Sequence, residues 1–513
     1  MGRVSRACRS LAFASLLMCV NAPLSTLAAT AGPAPEPVPT PQFRPAFHFT
    51  PQAHWMNDPN GMVFVDGEYH LFFQYFPEAT VWGPMHWGHA KSRDLVHWQE
   101  LPIALFPDEK GWIFSGSIVI DRDNTSGLGR DGVAPWVAIF THHDGAGEKA
   151  GRQDIESQSL AYSLDGGTTW TKYSGNPVIP SPGTRDFRDP KVFRHDATGR
   201  WVMSLATKDR ITFFSSANLK EWRKESEFGA GLGAHGGVWE CPDLFPVEFE
   251  GRRYWVLVVS LNPGAPNGGS GTQYFLGDFD GRVFLPLDTE TRWIDYGPDH
   301  YAGVTFGNLS GRALFLGWLG NWNYAMKVPT HPWRSAMTLP RDLELRRVDG
   351  QLRLASKPVL DAAGLWGQGK ALSTGPGPLA EFTQRTGDRF QWTLALKRMD
   401  SFRVTLRSGA GDALEIGYDA GRREYFIDRR RAGDNTFSPA FAGRYAAPRF
   451  AVAESGNLAL IVDRTSVELF ADDGLTTMTA LSFPASPYGE LHLRKSGESA
   501  LQVERMELWR ARD

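Results

Sequence analysis

Cysteine is nearly missing from this chain. There are three among 513 residues, and Cys8 and Cys19 fall in an N-terminal stretch that reads as an export leader. Only Cys241 is left for a mature protein, so no internal disulfide is expected, and stability has to come from buried apolar surface. An excess of one charge is missing too. Lys and Arg number 54 against 57 Asp and Glu, a formal net charge of −3, which offers no field for nucleic acid or an anionic membrane. Beyond the leader no apolar run approaches the roughly 18–20 residues of a membrane span. Sustained helical periodicity is also almost absent. A membrane protein, a nucleic-acid binder and a helical bundle are therefore all poor readings.

Aromatic residues and turn formers are present instead. The chain has 18 Trp, 13 Tyr and 32 Phe, with 54 Gly and 34 Pro. That many punctuating residues between short apolar runs points to an all-β protein, and Trp suits stacking on sugar faces as well as filling cores. The leader has Arg3, Arg6 and Arg9, an apolar run Leu11 to Val20, and small residues at Leu27-Ala28-Ala29. Residues 1–29 thus read as a signal peptide, and residues 30–45, rich in Pro and small residues, as a disordered lead-in. The mature protein is expected to be soluble and exported to the periplasm or the medium, without membrane or nucleic-acid partners. A monomer is the expectation, an oligomer the alternative.

From Phe47 to about Leu345, short runs such as Trp136–Phe140 and Tyr254–Val259 alternate with Gly, Pro, Asp and Asn. One turn recurs: Ser92-Arg-Asp94-Leu-Val-His-Trp98, Ser163-Leu-Asp165-Gly-Gly-Thr-Thr-Trp170 and Ser216-Ala-Asn218-Leu-Lys-Glu-Trp222. Recurrence of one hairpin at blade-like intervals favours radial repetition, a β-propeller, over unrelated hairpins. We place this domain at residues 46–350 and a Gly/Pro-rich linker at 351–375. A second all-β domain at 376–513 has strands at sandwich spacing.

Three acidic stretches in the first domain share a texture: Trp55-Met-Asn-Asp58-Pro59-Asn60-Gly61, Asp186-Phe-Arg188-Asp189-Pro190 and Trp239-Glu240-Cys241-Pro242. Each sets a carboxylate beside a proline-stiffened turn and an apolar strand. Alone, an Asp-Pro-Asn-Gly is more often a plain turn. Three in one repetitive domain can converge on its axis, and paired carboxylates in different protonation states are what glycoside cleavage needs. Asp58 is the candidate nucleophile. Glu240, between Trp239 and Cys241, is the candidate acid/base, expected to be neutral if buried. Asp189 is expected to be kept ionised by Arg188. Gly231-Leu-Gly233-Ala-His-Gly236 has dinucleotide-site spacing but no following helix, and His142-His143-Asp144 lacks a third ligand region; neither a cofactor nor a metal is expected.

These motifs, together with Phe72-Phe73-Gln74-Tyr75, Val81-Trp82-Gly83, Phe114-Ser115-Gly116-Ser117, Gly317-Trp318 and Val462-Asp463-Arg464, resemble glycoside hydrolase family 32, the β-fructosidases. The resemblance covers roughly residues 43–510. It implies a five-bladed β-propeller followed by a β-sandwich, and retaining hydrolysis. Asp58 would be nucleophile, Glu240 acid/base and Asp189 transition-state stabiliser. Trp55, Met56, Asn57, Gln74, Trp82, Phe114, Ser115, Ser117, Arg188 and Trp318 would form the fructose pocket. The segment Asn321 to Thr330 resembles levanases and exo-inulinases more than invertases, which implies exo-release of fructose from levan or inulin, with sucrose secondary. An invertase, a fructosyltransferase and a non-catalytic fructan-binding propeller are the alternatives.

Overall fold

The computed structural model describes residues 39–360, 364–372 and 378–512. The signal peptide and the lead-in up to residue 38 lie outside them. Within the first domain the short apolar runs fold into five antiparallel sheets, each a meander in chain order. Their first strands are His54–Val65, Trp112–Ile120, Phe187–His195, Val238–Phe249 and Tyr301–Thr305. Each touches the first strand of the next sheet, and Tyr301–Thr305 returns to His54–Val65, closing a ring. The ring is fastened at its seam. Trp333–Arg334, from the end of the domain, pairs in parallel with His54-Trp55.

The recurring turn joins the third and fourth strands of the first three sheets. In each, the Ser hydroxyl accepts a backbone N–H inside the turn (from Leu95, Gly167 and Asn218). The Trp indole then donates to the carbonyl of Leu95, Gly167 or Leu219 at 2.9–3.0 Å. All three of those acceptor residues have positive φ (68°, 82° and 63°). The repeat is therefore one local hydrogen-bonded structure used three times.

The second domain has two six-stranded sheets. Their facing residues alternate cleanly, as in Phe390, Trp392, Leu394 and Leu396, and share one large apolar core. Residues 351–358, assigned to the linker from composition, form a strand: Gln351–Pro358 pairs with Arg341–Val348 through a two-residue Asp349-Gly350 turn, both with positive φ. The lead-in is also shorter than its composition suggested. At 39–45 the chain is packed: Phe43 meets Phe483 edge-on at 5.5 Å and the Arg44 guanidinium lies 3.9 Å over Trp333.

Buried charge ties the domains together. Arg341 donates to Asp295 at 2.9 Å and to Glu468 and Thr479 at 2.6 Å. His48 lies between Asp463 (2.9 Å) and Glu468 (3.0 Å). Burial alone would lower the His48 pKa, but these carboxylates hold it at about 9. Its stabilising contribution is thus complete below the ordinary value near 6.5 and is lost as pH rises through about 9. The difference in melting temperature between wild type and His48→Gln should accordingly be largest below pH 6.5 and vanish above 9. A difference that grows with pH would overturn this assignment.

Candidate active site

Every one of the five first strands breaks register with its neighbour. The breaks fall between Met56 and Pro59, Ile113 and Gly116, Arg188 and Lys191, Glu240 and Asp243, and Tyr301 and Val304. Three of them hold Pro59, Pro190 or Pro242. Proline has no N–H for the ladder, so bulges and edge strands are where a sheet tolerates it, and Phe187–His195 and Val238–Phe249 are edge strands as well. The same bulges re-aim Asp58, Asp189 and Glu240. Asp189 and Cys241 take positive φ (65° and 46°). Asn60 locks the first bulge: its amide donates to the Asp58 carbonyl at 2.6 Å, and its Oδ1 accepts the Gly116 N–H at 3.0 Å.

The three carboxylates line one cavity of about 290 Å³, with Asn57, Gln74, Trp82, Phe114, Ser115, Arg188 and Trp322 among its walls. Asp58 accepts from the Ser115 hydroxyl at 3.1 Å. The Cys241 thiol sits 3.6 Å from both Asp58 and Asp189, and its backbone N–H donates to Asp189 at 3.0 Å. Glu240 receives Nε and Nη2 of Arg188, each at 3.1 Å, on one oxygen and the Tyr301 hydroxyl on the other. Burial, and then the charge of Glu240, raise Asp58 to about 6. Burial likewise raises Asp189, with Glu240 and Asp58 adding to it against the opposing charge of Arg188.

Two electrostatic expectations therefore change. Burial and the charges of Glu240 and Asp58 push Asp189 up against the pull of Arg188, whose hydrogen bonds go to Glu240, Glu156 and Asp186. Nor is Glu240 wrapped in apolar groups. Adjacent residues of a strand face opposite ways, so Trp239 packs into the core behind, and Glu240 meets Arg188 and Tyr301.

Residues 48–358 match the glycosyl hydrolases family 32 N-terminal domain and residues 367–510 the family's C-terminal domain. The chain belongs to glycosyl hydrolase family 32. A levanase of Bacillus subtilis is 46% identical over 86% of this chain, which spans 66% of that protein's length. An extracellular exo-inulinase of Aspergillus ficuum is 40% identical over 90% of this chain and 93% of its own. The crystal structure of the exo-inulinase from Aspergillus awamori superposes with a TM-score of 0.85 at 37% identity, over 92% of this chain and 98% of that one.

Of the residues assigned to the pocket of this family 32 chain, Asn57, Gln74, Trp82, Phe114, Ser115 and Arg188 lie on the cavity wall. Four others do not. Met56 points the opposite way from Asn57, into the core with Leu71 and Phe73. The Ser117 hydroxyl is spent between sheets, donating to the Pro190 carbonyl at 2.8 Å and accepting the Val192 N–H at 2.9 Å. Trp55 and Trp318 are fully buried and stand behind Trp322, which packs on both rings. Trp55 still acts on the wall, since its indole holds Asn57 Oδ1 at 2.8 Å. Sequence reading missed Trp322, Tyr301, His143 and Glu156. His143, considered there as a metal ligand, stacks on Phe114 at 4.1 Å and turns its two nitrogens to Glu156 and Glu148.

Proposed function

We propose that the chain releases terminal β-D-fructofuranosyl units from fructans, levan or inulin, with sucrose as a secondary substrate, by a retaining mechanism. The observation that carries this is the convergence of Asp58, Asp189 and Glu240 on one cavity in a family 32 chain similar to a levanase and exo-inulinases. The closed ring of five sheets supports a five-bladed propeller with the cavity on its axis, and the two packed sheets support a β-sandwich.

In the first step an Asp58 oxygen bonds to the anomeric carbon while Glu240 protonates the departing glycosidic oxygen. In the second, Glu240 takes a proton from water, whose oxygen displaces Asp58 and frees fructose. Asp189 would accept from a sugar hydroxyl, with Trp322, Trp82 and Phe114 as the apolar wall beside the ring. The extracellular relative and the leader-like N-terminus support export.

Rates of fructose release from levan, inulin and sucrose by the purified protein test the substrate class. Much faster cleavage of sucrose than of either polymer would make the protein an invertase instead. The pH profile adds a second check. Asp58 must be ionised to attack, so kcat/KM should climb with pH through about 6. Ser115 donates to the ionised form, so Ser115→Ala should move that acid limb to higher pH. A limb that stays put or moves down would assign it to another group.

A further inference from the structure

Glu156 lines the cavity yet hydrogen-bonds to none of the three carboxylates. Its side chain is 1% exposed. One oxygen accepts the Phe187 N–H at 2.7 Å, and the other faces His143 Nδ1 and Arg188 Nη1, both at 3.1 Å. Burial opposes its charge, but Arg188 and His143 hold its pKa down to about 2, so Glu156 is a fixed anion.

What Glu156 holds is one end of a rigid fork. Guanidinium is planar, so fixing Nη1 sets the direction of the opposite Nε/Nη2 edge. That edge is the one presented to Glu240. Asp186 also accepts from Nη1, at 2.7 Å, but its side chain is 29% exposed at the cavity rim. A partly exposed carboxylate is the weaker anchor for the fork.

We propose that Glu156 is a positioning residue for proton transfer at Glu240, acting through Arg188. This rests on the fructoside-hydrolase reading above. The neighbours on which Glu156 depends, Phe187 and His143, come from two different sheets, so the ring itself sets the position of the fork.

Glu156→Gln keeps the shape and removes the charge. On sucrose, whose leaving group needs a proton, kcat/KM should fall roughly tenfold to hundredfold, part of what general acid catalysis supplies. On β-D-fructofuranosyl fluoride, whose leaving group needs little protonation, it should stay within about threefold of wild type. Equal losses on both substrates would mark a merely structural role and overturn the proposal, as would no loss on sucrose. In a Glu240→Gln background the same substitution should add almost nothing, and multiplying losses would again count against it. If Glu156→Gln melts below assay temperature, Glu156→Asp, which retains the charge at shorter reach, is read the same way. A wild type that releases no fructose from sucrose, levan or inulin would instead sink the functional reading.

Discussion

Asp58→Asn is expected to lose fructose release by on the order of 10⁴-fold or more while melting no lower than wild type. The carboxylate makes few structural bonds. Among the described residues, Oδ1 is buried without a hydrogen-bond partner, and Oδ2 accepts from Ser115 and the Cys241 thiol. Charged, it sits near Glu240 in a buried cavity, so removing the charge relieves repulsion. The loss should appear in kcat on every fructoside tried. Glu240→Gln should show a different pattern, severe on sucrose and polymer but reduced on fructosyl fluoride. Added azide should then recover turnover and yield fructosyl azide, because an anion needs no general base to attack the covalent intermediate. An Asp58→Asn protein that keeps a tenth of its activity would remove Asp58 from the role of nucleophile.

Arg341→Met should destabilise the domain interface by about 3–5 kcal/mol. Its guanidinium is fully buried and faces Asp295 on one side and Glu468 on the other. Removing it leaves two carboxylates close together, out of water, with one cation lost. His48 still compensates Glu468, but among the described residues no other cation bonds Asp295. The denaturant midpoint is the measurement. Adding Glu468→Gln to Arg341→Met should cost less than the sum of the two single changes, because one of the stranded charges is gone. A loss under about 1 kcal/mol would mean that water satisfies both carboxylates in the variant.

What was legible in the chain was what is encoded locally. Carboxylates followed by proline stood out because a proline inside a strand calls for a bulge or a sheet edge, and bulges turned out to be what aims them. The Ser–Asp–Trp turn was legible for the same reason, its hydrogen bonds spanning only a few residues. Met56 takes the face opposite Asn57 by strand alternation, whereas Ser117, past the register break at Gly116, bridges to the next sheet. Asp349-Gly350 carries the signature of a hairpin turn, and the strand that follows it, Gln351–Pro358, pairs back on Arg341–Val348. Glu156, His143 and Tyr301 carry no local mark. Packing of one sheet against the next brings Tyr301 to Glu240, across 61 residues, and Glu156 to Arg188, across 32.

The parallel pairing of His54-Trp55 with Trp333-Arg334 also sets an order of events in time. The strand that bears Asp58 is among the first to emerge during synthesis, and its outer partner is among the last of the domain. Until that partner arrives, the first sheet keeps an open edge, able to pair with another chain. Contacts between residues so distant in sequence slow folding, and an unfinished ring is the species most exposed to aggregation. A chain that crosses a membrane unfolded before it closes would avoid that stage in a crowded cytoplasm. The clasp that completes the ring is thus also late to form.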